Sequence, residues 1–217
     1  MAVRRPQGRR GRVAPVAGRH FDDGRGLRSF SERVAVRCHR CDTPGWVVTS
    51  KVCCRTSARF RCTGCSASLD GSDWVGAKRM QGRRPCGYCG HQWLCVDRHI
   101  ASGVPAPAAF PARCEQCGRT SDVSVTACPL REAEAEDPHF GLPLRLVEST
   151  RAGLLWAYNA EHLQALHDYA VSALRERGAV HNGSMFSRLP QWMKLARNRV
   201  LLQRAVERLQ RRLLGER

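Results

Sequence analysis

The chain has 217 residues, 42% hydrophobic, with 36 Lys and Arg against 19 Asp and Glu, giving a formal net charge of +17. That length allows one or two domains, and a cationic surplus of this size attracts polyanions. Eight of the twelve cysteines fall into four Cys-x-x-Cys pairs, a grouping that argues against a secreted disulfide scaffold and for tetrahedral metal clips.

Residues 1–33 carry nine arginines against Asp22, Asp23 and Glu32, which leaves +6, and show no sustained period of 2 or 3.6. They are expected to form a disordered basic arm, either a solvated tail or an arm that binds nucleic acid. The only apolar patch here, VAPVA at 13–17, is too short and too interrupted by proline for a secretory signal. The longest small-apolar run, GVPAPAAFPA at 103–112, holds three prolines and cannot form a membrane helix. A reducing, cytoplasmic setting and no membrane partner are the expectations.

Residues 34–130 hold the four knuckles: Cys38/Cys41, Cys62/Cys65, Cys86/Cys89 and Cys114/Cys117, separated by 20, 20 and 24 residues. Short β-prone pieces such as GWVVTSKVCC and ARFRC lie between them, as in hairpins too small to hold themselves together. Eight thiolates suit two Zn2+ ions with four ligands each; hairpin-length gaps favour zinc over an iron–sulfur cluster, which the cysteine count alone does not exclude. Sequential pairing of the knuckles is the simpler topology, since nested sites need a longer closure. The equal gaps also allow the second and third knuckles to face each other, with the outer two closing around them. Cys53, Cys54, Cys95 and Cys128 lack such partners. They read as buried small apolar residues rather than as a third site with His39, His91 or His99.

The acidic, proline-containing REAEAEDP, 131–138, is expected to be a linker. Residues 139–217 read as a separate domain of β-hairpin plus helices. LPLRLVES and LLWAYN are strands around the turn TRAG. Asn159 is a good N-cap for a helix stopped by Gly178, with Leu163, Leu166, Ala170, Ala173 and Leu174 on its apolar face. Pro190 suits the first turn of a final helix running to about Leu214, with Trp192, Leu195, Ala196, Leu202, Ala205, Leu209 and Leu213 as its buried stripe. The fold class is therefore α+β: two small β zinc ribbons in tandem, then a β-hairpin and helical C-terminal domain.

The stretch CGYCGHQWLCVDRHI bears on two enzyme chemistries. HNH nucleases place a ββα catalytic unit between Cys-x-x-Cys clips, and CGYCG, VDRHI and CEQCG resemble that order. In that family His directly follows Asp, and an Asn and a further His or Asn come after it. Here Arg98 separates Asp97 from His99, and no Asn lies between residues 90 and 158. For a zinc deaminase, PCGYC matches one half of the signature, but the His-x-Glu half is missing upstream. No catalytic residue is assigned, and the chain is read as non-enzymatic.

The four-knuckle half resembles rubredoxin-like or TFIIB-type zinc ribbons. DPHFGLPLRL, LLWAYNAEHL, LRERG and LPQWMKLARNR extend the likeness over about residues 34–210, to a bacterial family of TFIIB-type zinc-ribbon proteins with a C-terminal LWAYN-type α/β domain. That family carries no established activity, so the resemblance implies a fold and a metal and transfers no active residue. Arg145 stands where an apolar aromatic would be expected.

The functional expectation is a zinc-binding protein that binds DNA or RNA non-specifically through its basic ends. Residues 194–217 hold eight basic residues against Glu207 and Glu216, again +6. The candidate phosphate contacts are Arg4, Arg5, Arg9 and Arg10 in the arm, and Lys194, Arg197, Arg204, Arg208 and Arg211 at the other end. Trp46, Phe60, Trp74, Tyr88 and Trp93 can stack on bases, although packing within a small ribbon is the commoner use of such rings. The alternative is a zinc-ribbon adaptor that binds a protein partner, with its charge serving solubility.

Overall fold

A computed structural model describes residues 18–52, 55–130, 135–176 and 183–215. It is a mixed α+β chain built mostly of small antiparallel sheets. Strand β1 (Arg19–Phe21) and a 3-10 turn (Leu27–Phe30) lead into a four-stranded meander. Its strands β2 (Arg33–Arg37), β3 (Pro44–Val52), β4 (Arg55–Arg61) and β5 (Ser68–Asp70) are hydrogen-bonded in sequence order. Two knuckles occupy the β2–β3 and β4–β5 turns, which antiparallel pairing brings to one end of the sheet.

The second cysteine-bearing unit follows. Strands β6 (Lys78–Arg84) and β7 (Leu94–Ile100) pair around the third knuckle, and the hairpin β8 (Ala109–Arg113) and β9 (Thr120–Ser124) carries the fourth. Strand β10 (Thr126–Pro129) returns to the free side of β6. Gly82 permits the hairpin to cross β6 closely, since a Cβ there would lie 2.2 Å from the Ser124 carbonyl oxygen. The buried cluster here is small: Cys86, Leu94, Val96, Cys114 and Val123. Two of those five residues are knuckle cysteines, so little apolar surface remains to hold the unit without a cross-link.

The C-terminal part comprises the hairpin β11 (Leu146–Thr150) and β12 (Gly153–Ala157), helix α1 (Ala160–Val171), strand β13 (Leu174–Glu176), helix α2 (Gln191–Lys194) and helix α3 (Arg199–Leu214). As expected, the Asn159 side chain caps α1, its Oδ1 accepting the His162 amide at 2.9 Å. The helix ends earlier than expected. The Ser172 hydroxyl takes the Asp168 carbonyl at 2.6 Å, and the amides of Ala173 and Leu174 go to Gly18. Leu174–Glu176 thereby forms a parallel pair with β1, and Ala173 and Leu174 are exposed rather than on the buried face. The final helix is also interrupted. Leu195 is extended, and Asn198 Nδ2 takes the Trp192 carbonyl at 2.9 Å, so Trp192, Leu195 and Ala196 precede α3 instead of extending its stripe. Leu202, Ala205, Val206 and Leu209 are its buried residues, and Gly215 closes it at φ 84°.

The meander and the C-terminal part share one core, where separate domains were expected. Phe30, Val34, Val47, Phe60 and Leu69 belong to the same cluster as Phe140, Leu146, Leu155, Leu163, Leu202 and Leu209. Backbone bonds join them: Ala35 N–H to Tyr158, Arg37 N–H to Pro143, and Arg145 N–H to Ala35. The arm boundary moves accordingly. Residues 18–33 carry β1, the 3-10 turn and fully packed Phe30, while residues 1–17 lie outside the described residues. Of the expected linker, 131–134 lie outside the described residues. Asp137 is buried and accepts the amides of His139, Phe140 and Leu142 at 2.9, 3.1 and 2.6 Å. Burial raises this carboxyl above its ordinary value, against the pull of the three amides. Arg145 spans to α3 and donates to the Arg212 carbonyl at 3.1 Å.

Candidate metal centres

Cys38, Cys41, Cys62 and Cys65 form one four-thiol cluster, and Cys86, Cys89, Cys114 and Cys117 form another, with all four sulfurs of each within 4.8 Å of one another. The pairing of knuckles is therefore sequential. Sulfurs meet across the knuckles at 3.6 Å (Cys38–Cys65) and 3.4 Å (Cys41–Cys62) in the first cluster. In the second they meet at 3.8 Å (Cys86–Cys117) and 3.7 Å (Cys89–Cys114). A tetrahedron with Zn–S bonds of about 2.3 Å has edges of about 3.8 Å. The donor set and its spacing fit a four-thiolate metal, and all eight cysteines are free thiols.

One backbone device builds all four knuckles. The amide of the first cysteine donates to the residue five positions on: Cys38 to Thr43, Cys62 to Ala67, Cys86 to His91 and Cys114 to Arg119. The residue after the second cysteine is left-handed each time: Asp42 at φ 58°, Ser66 at 59°, Gly90 at 71° and Gly118 at 71°. This turn throws both thiols to the same side and aims amides at sulfur. Arg40 and Gly64 N–H reach Cys38 and Cys62 Sγ at 3.4 and 3.3 Å. Glycine at 90 and 118 signals the left-handed position in the sequence; Asp42 and Ser66 hide it.

The local electrostatics favour thiolates at chosen positions. The Thr43 hydroxyl and amide bring Cys41 down to about 6. The amides of Cys89 and Tyr88 do the same for Cys86, also to about 6. Cys65 and Cys89 rise to about 12 despite the amides of Ala67 and His91, because hydrogen bonds with the neighbouring sulfurs and removal from water hold their protons on. A divalent cation displaces those protons, so metal uptake releases them and weakens in acid.

Two of the remaining cysteines depart from expectation. Cys95 and Cys128 are exposed on β7 and β10 rather than buried, and Cys53 and Cys54 lie outside the described residues. Among the described residues no further metal-holding group includes His39, His91 or His99. Asp97 and His99 stand exposed on β7, and Arg79 clamps Asp97 through Nε at 2.9 Å and through a second nitrogen at 2.5 Å, lowering its carboxyl. A turn and strand β8 follow β7, so the helix of a ββα unit does not form there.

Of the candidate phosphate contacts, Arg4, Arg5, Arg9 and Arg10 lie outside the described residues. Arg197, Arg204 and Arg211 are exposed. Lys194 is half-buried and donates to the Ser187 carbonyl at 2.7 Å. Arg208 is committed elsewhere: its Nε meets buried Glu148 at 2.5 Å, beside Arg212, which meets the other Glu148 oxygen at 2.6 Å. That clamp pins α3 to β11, and its carboxylate was not singled out in the sequence, because a Glu in an alternating strand reads as a solvent-facing position. Among the described residues no helix is long and apolar enough to cross a membrane. Comparison of the chain with protein-family models, curated proteins and solved structures returns no match.

Proposed function

We propose that this chain is a non-catalytic zinc protein of the TFIIB-type ribbon kind, with two tandem ribbons each closed by a four-thiolate Zn2+, working in the cytoplasm as a non-specific binder of nucleic acid. The carrying observation is the geometry of the eight sulfurs, at separations suited to tetrahedral zinc. The cation would supply a cross-link that takes the place of a core in the second unit. Free thiols in such number fit a reducing compartment. The excess of +17 supplies the attraction for phosphates.

Binding across a salt series tests the nucleic-acid reading. Counterion release makes log affinity fall with log salt at a slope of about −0.9 per duplex phosphate neutralised. Removal of residues 1–17, which hold five arginines, flattens that slope without unfolding the protein. Residues 18–33 must stay, because Phe30 is core. Replacing exposed Arg204 and Arg211 with Gln flattens the slope further. Absence of binding to DNA and RNA at low salt overturns the reading and leaves a protein-binding adaptor.

A further inference from the structure

Trp46, Phe60, Trp74, Tyr88 and Trp93 are the rings that the sequence offers for stacking, and the structure separates them by use. Phe60 is buried, Trp46 is half-buried, and Trp74 is half-buried with its Nε1 donating to Ala77 at 2.8 Å. Tyr88 and Trp93 are different: they are 58% and 44% exposed. Both belong to the single turn between β6 and β7. Tyr88 sits inside the third knuckle and Trp93 just before β7. Burying neither ring in a unit so short of apolar packing is a loss unless the rings serve something outside the chain.

Each ring is backed by an arginine. Arg83 lies over Trp93 at 4.8 Å from its centroid, and Arg119, from the fourth knuckle, over Tyr88 at 4.7 Å. Neither arginine forms an ion pair among the described residues. Arg84 and Arg113, also exposed, bond backbone carbonyls of Asp122 and Gly118 at 3.2 and 3.0 Å. Residues 78–130 hold seven Lys and Arg against Asp97, Glu115 and Asp122, a surplus of +4. A zinc ion with four thiolates carries −2. The unit thus keeps a positive balance even when loaded.

We infer that Tyr88 and Trp93 form a stacking platform for the bases of single-stranded nucleic acid, with Arg83 and Arg119 holding the rings and meeting the phosphates. This rests on the nucleic-acid reading above and adds a base-dependent component to it. Arginine covers one face of each ring and leaves the other to a planar partner, and its charge suits the backbone that connects successive bases. Duplex bases are already stacked on each other, so the platform discriminates in favour of single strands.

The test compares three labelled probes on the full-length, zinc-loaded protein at one salt concentration: an oligothymidine of about twelve nucleotides, an abasic chain of equal length, and a duplex. The proposal expects oligothymidine to bind more tightly than the abasic chain. Tyr88→Ala and Trp93→Ala should each remove roughly tenfold of the oligothymidine affinity. Abasic and duplex binding should not change. Tyr88→Phe and Trp93→Phe should retain the affinity, and the zinc content of each variant shows that the knuckles have formed. Equal affinity for oligothymidine and abasic chain, unchanged by the alanine variants, overturns the platform while leaving phosphate binding standing. Failure to bind any probe at low salt overturns both.

Discussion

His162 is buried between Phe30, Trp156 and Tyr158, with its Nδ1 accepting the Tyr158 amide at 3.2 Å. Burial brings its pKa down to about 4, well below the ordinary histidine value. The unfolded chain therefore binds the proton more readily. The contribution of His162 to stability is intact above the unfolded pKa and is lost as pH falls through the folded one, at up to about 1.4 kcal/mol per pH unit between the two. Loss of metal in acid acts in the same direction, so the informative measurement is the difference between two profiles. Denaturant unfolding against pH should show a flatter acid limb for His162→Gln than for the natural chain, and parallel limbs would contradict the burial argument. At the knuckles, Ser66 holds φ 59° where two of the other three have glycine. Ser66→Gly should stabilise the protein by about 0.5–1 kcal/mol, because the left-handed cost to an L side chain exceeds the entropy that glycine adds to the unfolded chain. Unfolding midpoints at saturating zinc read this out.

At the scale of elements, much was legible and the omissions share a cause. The four knuckles, the hairpin around TRAG and the Asn159 cap are local patterns, each complete within a few residues, and each stands where the sequence places it. What the sequence did not show is long-range. Strand β13 exists because Gly18 accepts the amides that would have continued α1, a bond across more than 150 positions. The Glu148 clamp needs two arginines on a helix 60 residues away. The shared core of meander and C-terminal part was hidden by the cysteine-rich unit inserted between them, which made two neighbours in space look like separate domains. This arrangement makes the two centres unequal. Cys114→Ser should cost one metal ion and the hydrogen-exchange protection of β6 to β9, with α1 and α3 still protected, because the second cluster is small and self-contained. Cys62→Ser should instead lower protection in α1 and α3 as well, since its sheet packs in the large core. Equal, purely local losses in both variants would contradict the shared core.

Over the whole molecule, one picture joins these parts: a core that binds N-terminal meander to C-terminal helices, a second cysteine-built unit with a small cluster of its own, and far more arginine than the carboxylates can neutralise. Some of that arginine is structural, as at Arg208, Arg212 and Arg25, the last of which meets Glu161 at 2.6 Å. The remainder is the excess on which the proposed binding depends. All of it presupposes that the eight cysteines hold metal rather than serve as packing thiols. Native mass spectrometry of the protein purified without added metal or chelator tests that most directly. The account predicts a mass increment of two zinc ions per chain, both lost together with ordered structure on chelation at low pH. A chain that folds with one ion or none, or that carries iron in place of zinc, would contradict it.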